Sequence, residues 1–143
     1  GEGGVQGCQV ALRSEDGRLF CFLPLPRSAV SLRLPVHVHA PVNVTQDRRN
    51  VLLDDRVGDR DLIQQNVRLL DVRIPECLAR CVLDLSGKMS RQELFCLFPT
   101  LSAPAAEASS ADGAGASEGG AIADRLATAF YRQLIRQQEP IFP

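Results

Sequence analysis

The chain has 143 residues, 45% of them hydrophobic, which suffices for one modest domain with a buried core. Its formal net charge of −1 gives no global field that favours nucleic acid or an anionic membrane. No apolar run reaches the roughly 18–20 residues that cross a bilayer as a helix, and no signal peptide is visible.

Strand signals come first. Residues 7–12 form a short candidate strand, and residues 14–17 a turn in which Asp16-Gly17 is a hairpin signal. The run GRLFCFLPLP (residues 17–26) sets Phe20 and Phe22 on one face of a strand and Cys21 and Leu23 on the other. In LPVHVHA (residues 34–40), Val36 and Val38 alternate with His37 and His39, a period-2 strand with one polar face. Residues 42–44 extend this pattern. The two proline-punctuated segments, joined by a loop containing Ser28, Ser31 and Arg33, predict an antiparallel hairpin. Pro24 and Pro35 lack the amide hydrogen a ladder needs and mark strand ends or an open edge.

After Thr45 the period changes. Thr45 is a plausible N-cap and Asp47 suits a first helical turn, with Val51, Leu52 and Leu53 as a short apolar face ending at Gly58. Asp59 or Asp61 caps a second helix carrying Leu62, Ile63, Asn66, Val67 and Leu70. Pro75 is expected to break it and to push Ile74 towards an extended conformation. A third helix places Leu78, Cys81, Val82 and Leu85 on one face and closes at Gly87. Ser90 and Glu93 have the spacing of a capping box ahead of Leu94, Phe95, Leu97 and Phe98.

Residues 102–121 are almost all Ala, Ser, Gly, Glu and Asp, so ordering them would cost entropy without burial in return. They read as a disordered insert. The GAGASEGG stretch has no preceding strand and no following Lys-Ser or Lys-Thr, and is low complexity rather than a phosphate loop. Residues 122–137 form a last helix with Leu126, Phe130, Leu134 and Ile135 as its stripe. The whole predicts an α+β chain with N-terminal antiparallel strands, a helical half and a disordered insert. Its parts are 1–45 (strand-rich), 46–101 (helical), 102–121 (insert) and 122–143 (C-terminal helix and tail).

Five cysteines, Cys8, Cys21, Cys77, Cys81 and Cys96, make an odd number without a compact framework, and predict buried reduced thiols in a cytoplasmic protein. His37 and His39 on one strand face, with Cys77 and Cys81 on one helix face, would make a zinc site only if the faces met. The spacing is not that of a finger, so structural histidines and core cysteines are the simpler reading. No nucleophile elbow is present, and Asp54-Asp55 beside Arg56 reads as a solvated helix flank. Lys88 is the single lysine against fifteen arginines, a bias that scattered positions leave to codon usage.

The order GRLFCFLPL, LPVHVHA and QDRRNVLLDD (residues 46–55) resembles the repeat region of sacsin and sacsin-like proteins. NVRLLDVRIPECLA (residues 66–79) and AFYRQLIRQQEPIFP (residues 129–143) extend the resemblance over most of the chain. Where such repeats carry Asn-Gly, this chain has His39-Ala40, and it lacks their tryptophans. In those proteins the phrase follows an ATPase domain similar to that of the ninety-kilodalton heat-shock chaperones. The resemblance implies a non-catalytic segment of a large chaperone that couples an adjacent, upstream ATPase domain to client or co-chaperone binding. The glycine start in GEGG fits a piece of a longer polypeptide. In the related chaperones the domain after the ATPase supplies an arginine to the nucleotide's terminal phosphate, and Arg48 and Arg49 are the candidates here. The plainer reading pairs them with Asp47 or Asp55. No ATP pocket, complete active site, cofactor or metal is expected within the chain, and neither nucleic acid nor membrane is an expected partner. A stand-alone protein-interaction domain is the rival reading, and a zinc-binding or thiol enzyme a third.

Overall fold

The computed structural model describes residues 17–27, 30–54, 56, 59–101 and 118–137. In chain order these form β1 (Leu19–Cys21), β2 (Leu23–Pro24), β3 (Val38–His39), α1 (Arg60–Arg68), a π-helical turn (Leu69–Arg73), α2 (Ile74–Ser86), α3 (Arg91–Cys96) and α4 (Glu118–Gln137). Strands precede helices, an α+β order. The strand expected at residues 7–12, the Asp16 half of its turn, Cys8 and residues 102–117 of the insert lie outside the described residues. Residues 118–121, assigned to the insert by composition, belong to the first turn of α4.

The sheet departs from the expected hairpin. β1 is central, in the order β2-β1-β3. It runs antiparallel to the two-residue β2 but parallel to β3, with Leu19 opposite Val38 and Phe20 opposite His39. The cause lies in the connection, which is not a polar loop. Val30, Leu32 and Leu34 alternate along it and are fully buried. Burying each is worth roughly 1.5–3 kcal/mol, against about 1 kcal/mol for one strand hydrogen bond. The chain therefore crosses the core before returning, and residues 25–37 are long enough for the dozen-residue crossover a parallel pair needs. Gly17 closes this crossing by donating its N–H to Leu34 O at 2.7 Å. A Cβ at Gly17 would overlap the carbonyl oxygens of Leu34 and Val36, so the close approach requires glycine.

The helix expected over residues 45–58 does not form among the described residues, and from Asp59 onward the helices lie where their apolar spacing places them, Pro75 apart. Asp59 caps α1 by accepting the Asp61 N–H, and Ser90 and Glu93 form both bonds of a capping box on α3. Pro75, however, does not break the helix. It occupies the first turn of α2, and Ile74 keeps helical dihedrals of φ −65° and ψ −48°. A proline ring collides with the carbonyl four residues back in a regular helix. The π turn widens the helix there, and Ile74 N–H reaches Leu69 O, five residues back. Gly87 caps α2 with φ −91° and ψ 0°, so it does not use glycine's left-handed freedom.

Two apolar clusters result. In the first, Leu19, Leu32 and Leu34 of the strand layer pack with Leu70 and Ile74 and with Ile122 and Leu126 of α4. The second joins Ala79 and Val82 of α2, Leu94 of α3 and Phe130 of α4. Phe98 meets the Phe130 ring edge-on, and the Tyr131 hydroxyl donates to Pro99 O at 2.9 Å, which fixes the end of α3 against α4. The cysteines depart from expectation. Cys21 is buried and donates its thiol to Val42 O at 3.1 Å, whereas Cys77, Cys81 and Cys96 are exposed. Val82, Ala79 and Pro75 take the inner face of α2, which turns Cys77 and Cys81 outward. Ile135, placed in the α4 stripe by spacing, is also exposed.

Asn66 is the buried polar residue of α1, at 0% exposure. Its Nδ2 donates to Asn43 O at 2.7 Å and Leu52 O at 2.8 Å, and its Oδ1 accepts the Asn43 N–H at 2.7 Å. Replacing it by alanine strands three backbone groups, each bond worth about 1 kcal/mol and more when a buried partner is left bare. Asn66→Ala is expected to lower unfolding stability by about 3 kcal/mol in urea titration. Asn66→Asp should cost more, because a carboxylate would face two carbonyls. Gly17→Ala should cost on the order of 1–3 kcal/mol by forcing the crossing segment aside. A Gly17→Ala melting curve that overlays the wild type would show that the Leu34 contact is dispensable.

Candidate functional site

The arginine pair sits on a turn, not at the start of a helix. Val44 bridges Val51 in antiparallel fashion, and Leu52 N–H donates to Asn43 O at 2.9 Å. Thr45 N–H donates to Asn50 O at 2.9 Å, which closes residues 45–50 as the loop. The side chains that suggested a helix cap make this loop instead. Thr45 Oγ1 accepts the Asn50 N–H at 3.1 Å and donates to Asp47 Oδ1 at 2.5 Å, and the same Oδ1 accepts the Arg49 N–H at 3.1 Å. Thr, Asp and Asn offer the backbone local partners that compete with a helical ladder. With only three apolar residues behind it, a helix could not repay their loss.

Arg48 is at the apex, with φ 55°, a left-handed conformation that costs a non-glycine residue on the order of 1–3 kcal/mol. Two contacts hold it there. Its N–H donates to Thr45 O at 2.8 Å, and its Nη2 donates to Cys21 O at 2.9 Å on the central strand. Arg49 is different. It is exposed, and among the described residues its guanidinium has no hydrogen bond. The two arginines therefore divide into an anchor and an exposed cation whose charge also favours the ionised Asp47. Asp47 meets Arg49 chiefly through the backbone N–H, with a smaller attraction from the guanidinium charge, and Asp55 lies outside the described residues.

The turn is seated by the Asn66 bonds, which grip both of its arms at Asn43 and Leu52. Asn43 adds a weaker bond from Nδ2 to Leu62 O at 3.3 Å. Sequence reasoning counted Asn66 only as a helical position. A lone asparagine within an apolar helical stripe, facing a stretch with Asn43 and Asn50, was the available signal. The Cys21 carbonyl that anchors Arg48 left no signal, since any residue has one.

The other chemistry-bearing residues are not brought together. His37 Nδ1 accepts the Arg18 N–H at 3.1 Å and His39 Nε2 accepts the Phe22 N–H at 3.2 Å, so both rings serve the backbone of the β1 region. Phe20 and Phe22 lie edge-on to them, with centroids 5.4 and 6.2 Å apart. Among the described residues no three His, Cys, Asp or Glu side chains are grouped to hold a metal, so the two-His, two-Cys arrangement does not form. Asp54 is not on a helix flank and accepts the Arg56 N–H at 2.9 Å. No helix among the described residues is long and apolar enough to cross a membrane.

The Thr45 hydroxyl and then the Arg49 N–H hold the Asp47 carboxyl below its ordinary value of 3.8, against a smaller opposing desolvation. The turn binds the ionised form. Its contribution is thus complete above 3.8 and fades as pH falls through the lowered value. Thr45→Val removes the largest cause, and the Asp47 midpoint followed by NMR is expected to move back towards 3.8. A midpoint unchanged by Thr45→Val would show that the hydroxyl does not organise the loop.

The chain matches no protein-family model, no curated protein and no solved structure.

Proposed function

We propose that this chain is a non-catalytic segment of a sacsin-like chaperone that couples an upstream ATPase domain to client or co-chaperone contacts in the cytoplasm. The observation that carries the reading is the Arg48 turn. A strained residue is held at φ 55° by a bond to the central strand, and beside it Arg49 offers to solvent a guanidinium with no hydrogen bond among the described residues. Backbone strain retained under such restraint is a device of functional loops. A guanidinium offered from outside a nucleotide pocket suits stabilisation of charge on a transferring phosphoryl group. In this reading Arg49 is the coupling cation and Arg48 the residue that positions it. The chain itself neither binds nor hydrolyses ATP.

A second reading, a stand-alone interaction domain, draws on the β1–β2 connection. Phe22 is 84% exposed at φ 62°, and Leu23 beside it is also exposed. A bulky apolar side chain held outward at positive φ is an outlier that suits a contact surface.

The test places this chain behind its own ATPase domain and measures hydrolysis. Arg49→Ala is expected to lower turnover tenfold or more, since an arginine supplied to phosphoryl transfer is worth about a thousandfold or above in favourable cases. Arg48→Ala should lower turnover and also loosen the turn, and the double variant should resemble Arg49→Ala in rate. Full turnover in all three variants would reject the coupling role. ATP turnover by the isolated chain would count against the whole assignment.

A further inference from the structure

A cleft of about 530 Å³ opens between α4 and the π turn, within the range of known ligand sites. Asp71 and Val72 form one wall, and Arg125, Ala129, Arg132 and Arg136 of α4 the other. The acids here are already neutralised. Arg125 binds Asp71 bidentately, through Nε to one oxygen and Nη2 to the other at 2.7 Å, and Arg33 pairs with Asp124 at 3.1 Å. Arg132 and Arg136 are exposed and have no acid partner among the described residues. Among the described residues the cleft thus presents two cations without an acid partner, beside an apolar floor of Val72 and Ala129. Arg136 also complements the C-terminal end of the α4 dipole, a role that leaves its guanidinium open to a ligand.

We infer that this cleft docks an extended acidic segment of a partner polypeptide. Arg132 and Arg136 are one helical turn apart, about 6 Å along the axis. Alternate side chains of an extended chain are spaced by about 6.6 Å and share a face. Two glutamates at alternate positions therefore meet the two guanidinium groups in register. An apolar residue two positions further on the same face reaches Ala129 and Val72. Arginine suits the task because its planar fork binds a carboxylate with two parallel bonds. No residue of the Arg48 turn takes part, so the inference stands apart from the ATPase-coupling role.

The probe is a fluorescein-labelled ten-residue peptide containing Glu-Ser-Glu-Ser-Leu, titrated with the 143-residue chain by anisotropy. Binding is expected at low salt and should weaken as salt rises from 50 to 300 mM, as screening requires. Arg132→Glu with Arg136→Glu should weaken it at least tenfold, and Arg132→Gln with Arg136→Gln serves if the reversal impairs folding. The paired Lys variants should keep binding within a few-fold, because charge and reach persist. Arg80→Glu with Lys88→Glu, the same change of charge elsewhere, should leave affinity unaltered. The inference is overturned if this control weakens binding as much as the cleft variants, or if those variants bind normally. It is equally overturned if a peptide with glutamines in place of both glutamates binds as well. Binding of inorganic pyrophosphate with none of the peptide would make the cleft a small-anion site and reject the docking role.

Discussion

The carboxamide of Asn66 is the constraint on which the rest of the arrangement turns. It lies on a helix, yet it pairs with the Asn43 backbone as a neighbouring strand would, accepting its N–H and donating to its carbonyl. Its second amide hydrogen reaches Leu52 O, on the other arm of the Arg48 loop. One side chain therefore welds an irregular two-armed loop to a helix without a sheet to support it. A buried amide satisfied on every side rigidifies its surroundings, and one left half-satisfied would be worse than an apolar residue. No buried side-chain nitrogen or oxygen among the described residues lacks a partner, so the network is closed. The position of the arginine loop is thus set from the helical layer as much as from the strands.

The elements that could be read from the sequence are those whose signals are local. The Asp59 cap, the Ser90–Glu93 box and the apolar spacing of α1, α2 and α4 concern residues within a turn or two of each other. What failed was the weighing of local signals against burial. Thr45, Asp47 and Asn50 are equally good at starting helices and at closing turns, and the choice depended on Asn66, whose partners are backbone atoms with no sequence signature. In residues 30–34, Ser31 and Arg33 give the signal of a polar loop, although Val30, Leu32 and Leu34 alternate in the manner of a buried extended segment. Pro75 signals a break only in a regular helix, and the π turn removes the collision on which that rule depends.

The candidate site shows the same division. Arg48 and Arg49 were legible as a pair but not as two different residues, because adjacency in sequence says nothing of which guanidinium turns inward. Their separation follows from one backbone torsion and one carbonyl, at Cys21. The cleft on α4 was legible in principle. Arg125, Arg132 and Arg136 recur at spacings of seven and four, which place them along one helical flank, and only the pairing of Arg125 with Asp71 needed three dimensions to see.

The part played by α4 has a consequence for how the chain reaches this state. Ile122 and Leu126 complete the first apolar cluster and Phe130 the second, yet the strand residues that Ile122 and Leu126 cover lie about a hundred positions earlier. Closing so long a loop costs entropy before any contact rewards it. Until α4 docks, the first cluster lacks Ile122 and Leu126 and the second lacks Phe130, and α2, whose Leu78 packs against both, is left to join them. A ribosome that has released the strands and α1 to α3 thus carries a chain with both cores open on the same side. Folding of both clusters is gated by the emergence of α4, and a holding chaperone would find its longest window of access just before that moment.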